Sequence, residues 1–337
     1  MTLLSLDNVS VVFQARTGLF SSVAIRALDG VSLALDRGET LAVVGESGSG
    51  KTTLGRVCLR LLKPTGGSIH FDEENITTLQ ERRLKGFRKR AQGIFQDPFS
   101  SLDPYMTVGQ IVEEPLTIHR LGQPDARMTQ VHEALDEVRL RPGSDFASKF
   151  PHTLSGGQRQ RVAIARALVL RPELVIADEP VSMVDASSRA EILYLMRDLQ
   201  DNHNTAFVYI THDIATAYHF SQQIIVMYLG RVVESGPTRQ VISNPLHPYT
   251  QALLQAVPEP DPSNRDMRRA TLTGDPPSHA SPPSGCHFHP RCPYALDRCR
   301  IEDPRLQEVR PGQQVACHLW NGPDPEARLP EKPAATE

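Results

Sequence analysis

No apolar run in this sequence approaches the 18 or more residues that a membrane-spanning helix requires. A basic region followed by an apolar core is also missing near Met1, so no secretory leader is expected. A large excess of either charge is missing: the formal net charge is -3 over 337 residues, which gives no global attraction for nucleic acid, and no nucleic-acid partner is expected. The densest basic stretch carries Arg82, Arg83, Lys85, Arg88, Lys89 and Arg90, but no interleaved aromatics for base stacking, and reads as a solvated helix face. Cysteine is sparse as well. Of five, four cluster near the C-terminus, a distribution unlike a disulfide framework in a cytoplasmic-type protein. The length allows one large α/β domain plus an appendage, or two domains.

What is present is a phosphate-binding loop. Gly45, Glu46, Ser47, Gly48, Ser49, Gly50, Lys51 and Thr52 fit G-x-x-x-x-G-K-[ST] at every position. Thr40 to Val44 before it reads as a buried strand, and Thr53 to Leu62 after it has apolar residues at helical spacing. Strand, glycine loop and helix is the context in which backbone N–H groups and a helix N-terminus cradle phosphates. Lys51 would then reach the β- and γ-phosphates, and Thr52 would ligate Mg2+.

Other strands are expected at Leu4 to Phe13 and Val31 to Leu35, with a polar loop from Gln14 to Val23 between them, and at Gly93 to Pro98, where a proline-marked loop stops the strand. Val108 to about Arg141 is helical in pattern. Leu154-Ser155-Gly156-Gly157-Gln158 then opens an amphipathic helix and forms a second candidate anion site. Leu174 to Ala177 is an apolar strand that delivers Asp178 and Glu179 at its C-terminal end, where one carboxylate can hold Mg2+ and the other can orient or deprotonate water. Ala206 to Ile210 similarly ends in Thr211-His212-Asp213. Phe13 is either an ordinary edge-strand aromatic or a platform for adenine.

Together these motifs resemble the nucleotide-binding subunit of an ATP-binding-cassette (ABC) transporter, over about Leu3 to Val257. Gly45-Glu46-Ser47-Gly48, Gln96 to Pro104, Asn244-Pro245-Leu246-His247-Pro248-Tyr249-Thr250 and the C-terminal cysteine stretch are similar to the oligopeptide/dipeptide importer ATPases, and Thr53-Leu54-Gly55-Arg56 resembles the second of that family's paired ATPases. The resemblance implies an α/β P-loop NTPase fold: a RecA-like core, an antiparallel β subdomain and a helical insertion at about 100–170, with residues 1–257 forming the ATP-binding domain.

It also implies roles. Glu179 would be the general base, His212 the γ-phosphate switch, and Gln96 the link from Mg2+ and water to the transport machinery. Phe13 falls where the family places an adenine-stacking aromatic. Nucleotide contacts would come from Gly45 to Thr53, from Asp178 and Asp185, and from Ser155, Gly156, Gly157 and Gln158 of a second subunit; Thr52, Gln96 and Asp178 would surround Mg2+. The expected partners are a homologous or identical ATPase, two permeases and an extracytoplasmic solute-binding protein, at the cytoplasmic face of the inner membrane. The activity implied is ATP hydrolysis driving uptake of peptides or a related solute. A soluble ABC ATPase acting on nucleic acid or the ribosome is the alternative, but such relatives usually carry two cassettes or a long coiled-coil insertion.

Of 27 prolines, 18 lie from Pro237 onward, and Pro258 to Pro283 reads as a semi-rigid linker inside a C-terminal region spanning 258–337. Cys286, Cys292, Cys299 and Cys317 follow in a segment too poor in apolar residues to build its own core, which suggests that a metal holds it. The family resemblance favours a [4Fe-4S] cluster over zinc there. Cys58 reads as a small core residue.

Overall fold

The computed structural model describes residues 1–16, 22–97, 101–257, 274–275 and 277–320. Residues 17–21 of the expected polar loop, Pro98 to Ser100 after the glutamine motif, and most of the proline-rich linker lie outside the described residues.

Two sheets build the frame. The smaller is antiparallel, in the order β2-β1-β4-β5, from β1 (Thr2–Arg16), β2 (Ser22–Asp36), β4 (Gly66–Phe71) and β5 (Glu74–Asn75). β1 and β2 outrun the strands expected from sequence. The pairing continues through Gln14 with Ala24 and Arg16 with Ser22, so polarity at the tip of the hairpin marks solvent exposure of a strand, not its end.

Five of the eight strands of the larger sheet are parallel, in the order β9 (Gln223–Tyr228), β3 (Thr40–Val44), β8 (Ala206–Thr211), β7 (Leu174–Asp178) and β6 (Ala91–Ile94), with β6 at the edge. Every residue of β3, β7 and β8 is buried, as expected of short apolar strands covered on both faces. The lateral order β3-β8-β7-β6 fixes the site. It sets the phosphate loop after β3 beside His212 after β8, Glu179 after β7 and Gln96 after β6, all along one carboxyl edge.

The helical insertion packs Val108, Ile111, Val112 and Leu116 of the Val108–Ile118 helix against Val131 and Leu135 of the Pro124–Glu137 helix and Val162 of the Gly156–Leu168 helix. The single helical stretch expected from Val108 to Arg141 is two helices. Arg120 and Gly122 adopt positive φ between them and turn the chain.

β10 (Arg231–Pro237), β11 (Gln307–Arg310) and β12 (Gln313–Val315) complete the large sheet with antiparallel pairs, so the cysteine-containing segment extends the sheet of the cassette. No helix among the described residues is long and apolar enough to cross a membrane.

Candidate active site

Gly50 caps the Lys51–Cys58 helix at φ 103°, a conformation that disfavours any side chain, and a Cβ there would lie 2.6 Å from the Ala27 carbonyl. Glycine is therefore required for the loop to close. A Cβ on Gly48 would instead meet nothing within 4 Å, but its φ of 80° again calls for glycine. Lys51 is buried and folds back over its own loop, its Nζ donating to the carbonyls of Gly45 at 2.7 Å and Glu46 at 2.8 Å. Burial lowers the Lys51 pKa, while Glu179, Asp178 and Glu46 oppose that shift.

The carboxylates separate as their positions on the chain require. Asp178 is the last residue of β7; Glu179 turns to a φ of 46° and donates its N–H to the Ile210 carbonyl at 2.9 Å. The strand has ended, so the two side chains are free of strict alternation. Asp178 is buried, with the Thr52 hydroxyl hydrogen-bonded to it, and burial pushes its carboxyl above the ordinary aspartate range. Glu179 accepts from Gln96 Nε2 at 3.0 Å and lies 3.2 Å from His212 Nδ1. Two residues 116 positions apart in sequence thus converge on one carboxylate.

Thr52 and Asp178 present hard oxygen donors side by side next to the loop, a donor set that fits Mg2+. Thr53 is half-buried one residue into the helix. Phe13 is 41% exposed and pairs across the hairpin with Ile25. Cross-strand partners share a face, and Ile25 lines a pocket of about 330 Å³ with Glu46, Ser47, Gly48 and Ser49.

The signature turn stands apart. Ser155 caps the Gly156–Leu168 helix through a capping box, accepting from Gln158 N at 3.3 Å while Gln158 Oε1 accepts from Ser155 N at 3.0 Å. Among the described residues no hydrogen bond joins Ser155 to Gln158 with Gly45 to Thr52. Gly157 faces Ser188, whose N–H donates to the Asp185 carboxylate at 2.9 Å, so Asp185 caps the Ala186–His203 helix beside the signature of its own chain.

Metal binding at the cysteines is overturned. Cys286, Cys292, Cys299 and Cys317 are free thiols, and among the described residues no group of three or more His, Cys, Asp or Glu side chains is placed to hold a metal ion. Neither the [4Fe-4S] cluster nor zinc is supported. Burial pushes the Cys292 thiol up to about 11 and the Cys317 thiol up to about 12, disfavouring thiolate. The expectation rested on the segment's lack of a core, and the segment uses the cassette's core instead. Phe288 is buried against Tyr228 and Tyr249, with ring centroids 5.3 and 5.4 Å away, and Trp320 donates to the Leu246 carbonyl at 2.9 Å. Cys58 is buried in the core as expected, its thiol pushed up to about 12.

Residues outside the expected set also reach the loop. Tyr249 accepts at its hydroxyl from Glu46 N at 2.8 Å, and Arg291 grips the Glu46 carboxylate with both terminal nitrogens at 2.7 and 3.0 Å. The ring of His279 faces the carbonyls of Gly48 and Arg26. The sequence hinted at Tyr249 and Arg291 only as members of the Asn244 to Thr250 and C-terminal cysteine stretches that resemble the family; neither stretch tells that it meets Glu46, 245 positions from Arg291.

A family profile described as ABC transporter matches residues 28–182, and one described as oligopeptide/dipeptide transporter, C-terminal region, matches residues 233–299. The oligopeptide transport ATP-binding protein AppF of Bacillus subtilis is 46% identical over 324 residues, covering 95% of this chain and 98% of AppF. Among solved structures, the dimeric ATP-binding cassette MJ0796 bound to ADP and Pi aligns with a TM-score of 0.62 at 32% identity, covering 70% of this chain and 99% of that one. The cbiO1 protein of Clostridium perfringens, part of the ABC transporter complex cbiONQ, aligns with a TM-score of 0.63 at 28% identity, over 72% and 91% of the two chains. With its phosphate loop, paired carboxylates and signature turn in one P-loop NTPase fold, the chain belongs to the ABC transporter ATP-binding proteins, in the group that carries the oligopeptide/dipeptide C-terminal region.

Proposed function

We propose that this chain is the ATP-hydrolysing subunit that energises peptide import through a membrane permease complex. The observation that carries the chemistry is the convergence of Gln96 and His212 on the Glu179 carboxylate beside the phosphate loop. Glu179 acts as general base toward the attacking water, and the hydrogen bonds from Gln96 and His212 fix its orientation. Gly45 to Thr53 cradle the phosphates through loop amides and Lys51. Thr52, Asp178 and Gln96 would hold Mg2+, which when bound would supply positive charge next to the transferred phosphoryl group. Phe13 stacks on the adenine.

Because Ser155 to Gln158 makes its hydrogen bonds within its own helix start, these residues are available to close over the phosphate loop of a second ATPase, identical or homologous. Asp185, next to that turn, lies at the same face. The γ-phosphate then supplies contacts that exist only in the closed pair, and hydrolysis releases them. A groove of about 400 Å³ lined by Leu61, Phe95 and Ile118 between core and helical insertion receives a short helix of each permease. An extracytoplasmic solute-binding protein completes the complex, and the chain works at the cytoplasmic face of the inner membrane. Residues 1–257 form the ATP-binding domain and 258–337 the C-terminal region.

Glu179→Gln in the assembled transporter is expected to lower ATP turnover by about 10²–10⁴-fold while leaving nucleotide binding intact. Unchanged turnover would remove Glu179 from the role of base.

A further inference from the structure

We propose that the C-terminal segment is part of the nucleotide site, with Arg291 and Tyr249 acting as positioning residues that set the shape of the phosphate loop through Glu46. The proposal deepens the functional reading above and rests on it.

Glu46 is the second residue of the loop, and both its polar ends are held from outside the loop. Its N–H donates to the Tyr249 hydroxyl at 2.8 Å, and its carboxylate takes the two-pronged grip of Arg291 at 2.7 and 3.0 Å. The Arg291 side chain is only 6% exposed, so this is a shielded charge pair and not a surface ion pair. Removing Arg291 leaves the Glu46 carboxylate, itself 26% exposed, partly buried and uncompensated.

The grip is itself braced. Phe288, three residues before Arg291, is buried against Tyr228 and Tyr249, whose own ring centroids are 4.7 Å apart. Below them the buried Glu234 carboxylate accepts from the N–H groups of Leu246 and His247 and from Gln313 Nε2. His247 then accepts from Tyr249 N at 3.0 Å and starts the Pro248–Gln255 helix. The Asn244 to Thr250 stretch therefore joins the sheet, the C-terminal segment and the phosphate loop, a role that the catalytic motifs leave unexplained.

Two consequences follow for the loop. The Glu46 amide is turned outward to Tyr249, so phosphate is left to the other loop amides, and anchoring the Glu46 amide and side chain limits the conformations that those amides can take. A free Glu46 carboxylate would also place a negative charge beside a polyanion; Arg291 neutralises it and draws it aside.

The test is the affinity of the full chain for the non-hydrolysed analogue AMP-PNP with Mg2+, measured by calorimetry beside thermal melts of the nucleotide-free chain. Arg291→Met is expected to weaken binding about fivefold to tenfold at a temperature where the chain is fully folded. Arg291→Lys, which keeps the charge but loses the fork, is expected to weaken it about threefold. In Arg291→Met with Glu46→Gln the uncompensated carboxylate is gone, so the pair should bind no more weakly than Arg291→Met alone. A purely structural Arg291 would lower the melting temperature and leave the affinity of the folded chain unchanged, and that result overturns the proposal. Additive losses in the pair overturn it as well. Should Arg291→Met fail to fold, wild-type affinity in Arg291→Lys is the overturning result. Lys51→Ala separates the two levels: if it binds like wild type, the nucleotide site itself is misplaced, whereas lost binding there with intact binding in the Arg291 variants overturns only the positioning role.

Discussion

Asp178 is a carboxylate buried for a purpose that costs the nucleotide-free chain stability. Burial is the main reason its pKa is raised; the Thr52 hydroxyl, Lys51 and Arg56 oppose the rise and Glu179 adds to it. A carboxyl with a raised folded pKa holds its proton more tightly folded than unfolded. Its contribution to stability is present below the unfolded value of about 3.9 and is lost as pH rises through the folded value. Asp178→Asn should therefore melt a few degrees above wild type at pH 7 without nucleotide or Mg2+, with the difference shrinking toward pH 4, while Mg2+-dependent hydrolysis is lost. A variant that melts below wild type at pH 7 would show that the charge is instead well compensated by Lys51. The difference between legible and hidden residues lies at this scale. Gly45 to Thr52 and Asp178-Glu179 are contiguous, because one loop or one strand end must present them together. Arg291 and Tyr249 reach Glu46 only through tertiary packing: their stretches resemble the family's, but the resemblance does not say what either residue touches.

Among the elements, the ion-pair cluster of Arg37 and Arg90 with Asp72 and Glu173 has the opposite pH signature. It joins the turn before β3, the end of the basic Leu84–Arg90 helix, the turn after β4 and the residue that leads into β7. The Arg90 hydrogen bond, and then that of Arg37, hold Glu173 below the usual glutamate range against the opposing effect of burial. A depressed carboxyl contributes stability above its unfolded pKa of about 4.3 and loses it as pH falls through the folded value. Thermal melts from pH 6 to pH 3 should show wild type losing stability faster than Glu173→Gln. Parallel slopes would mean that the cluster is screened by solvent and contributes little. The basic stretch that sequence reads as a solvated face is thus partly engaged, with Arg88 paired to Glu81 as well. The acidic partners of Arg90 come from other elements, which a local pattern cannot reveal. β3, β7 and β8 were legible because full burial leaves an unbroken apolar run, whereas the outer ends of β1 and β2 were not, since an exposed hairpin can carry polar residues on both faces.

For the whole molecule, the decisive feature is where the sheet ends. β10 would present an open edge, and Tyr228, Tyr249 and Leu246 an uncovered apolar surface, if β12, Phe288 and Trp320 did not lie against them. Sequence composition pointed to a segment unable to fold without a metal; the missing apolar residues are supplied from across the sheet, and only a three-dimensional arrangement can show that. Ending the chain at Val257 should therefore lower the melting temperature and produce concentration-dependent association through the exposed β10 edge, visible by light scattering coupled to size exclusion. Phe288→Ala in the intact chain isolates the packing contribution. Phe288 is 1% exposed, so its truncation is expected to cost about 3–5 kcal/mol, read from denaturant melts. A truncated chain that stays monomeric with an unchanged melting temperature would mean that the cassette is self-sufficient and that the segment only rests upon it. If instead the truncation and Phe288→Ala both destabilise, the family's C-terminal region is in this chain a structural layer of the ATPase, continuous with the sheet whose carboxyl edge performs the chemistry.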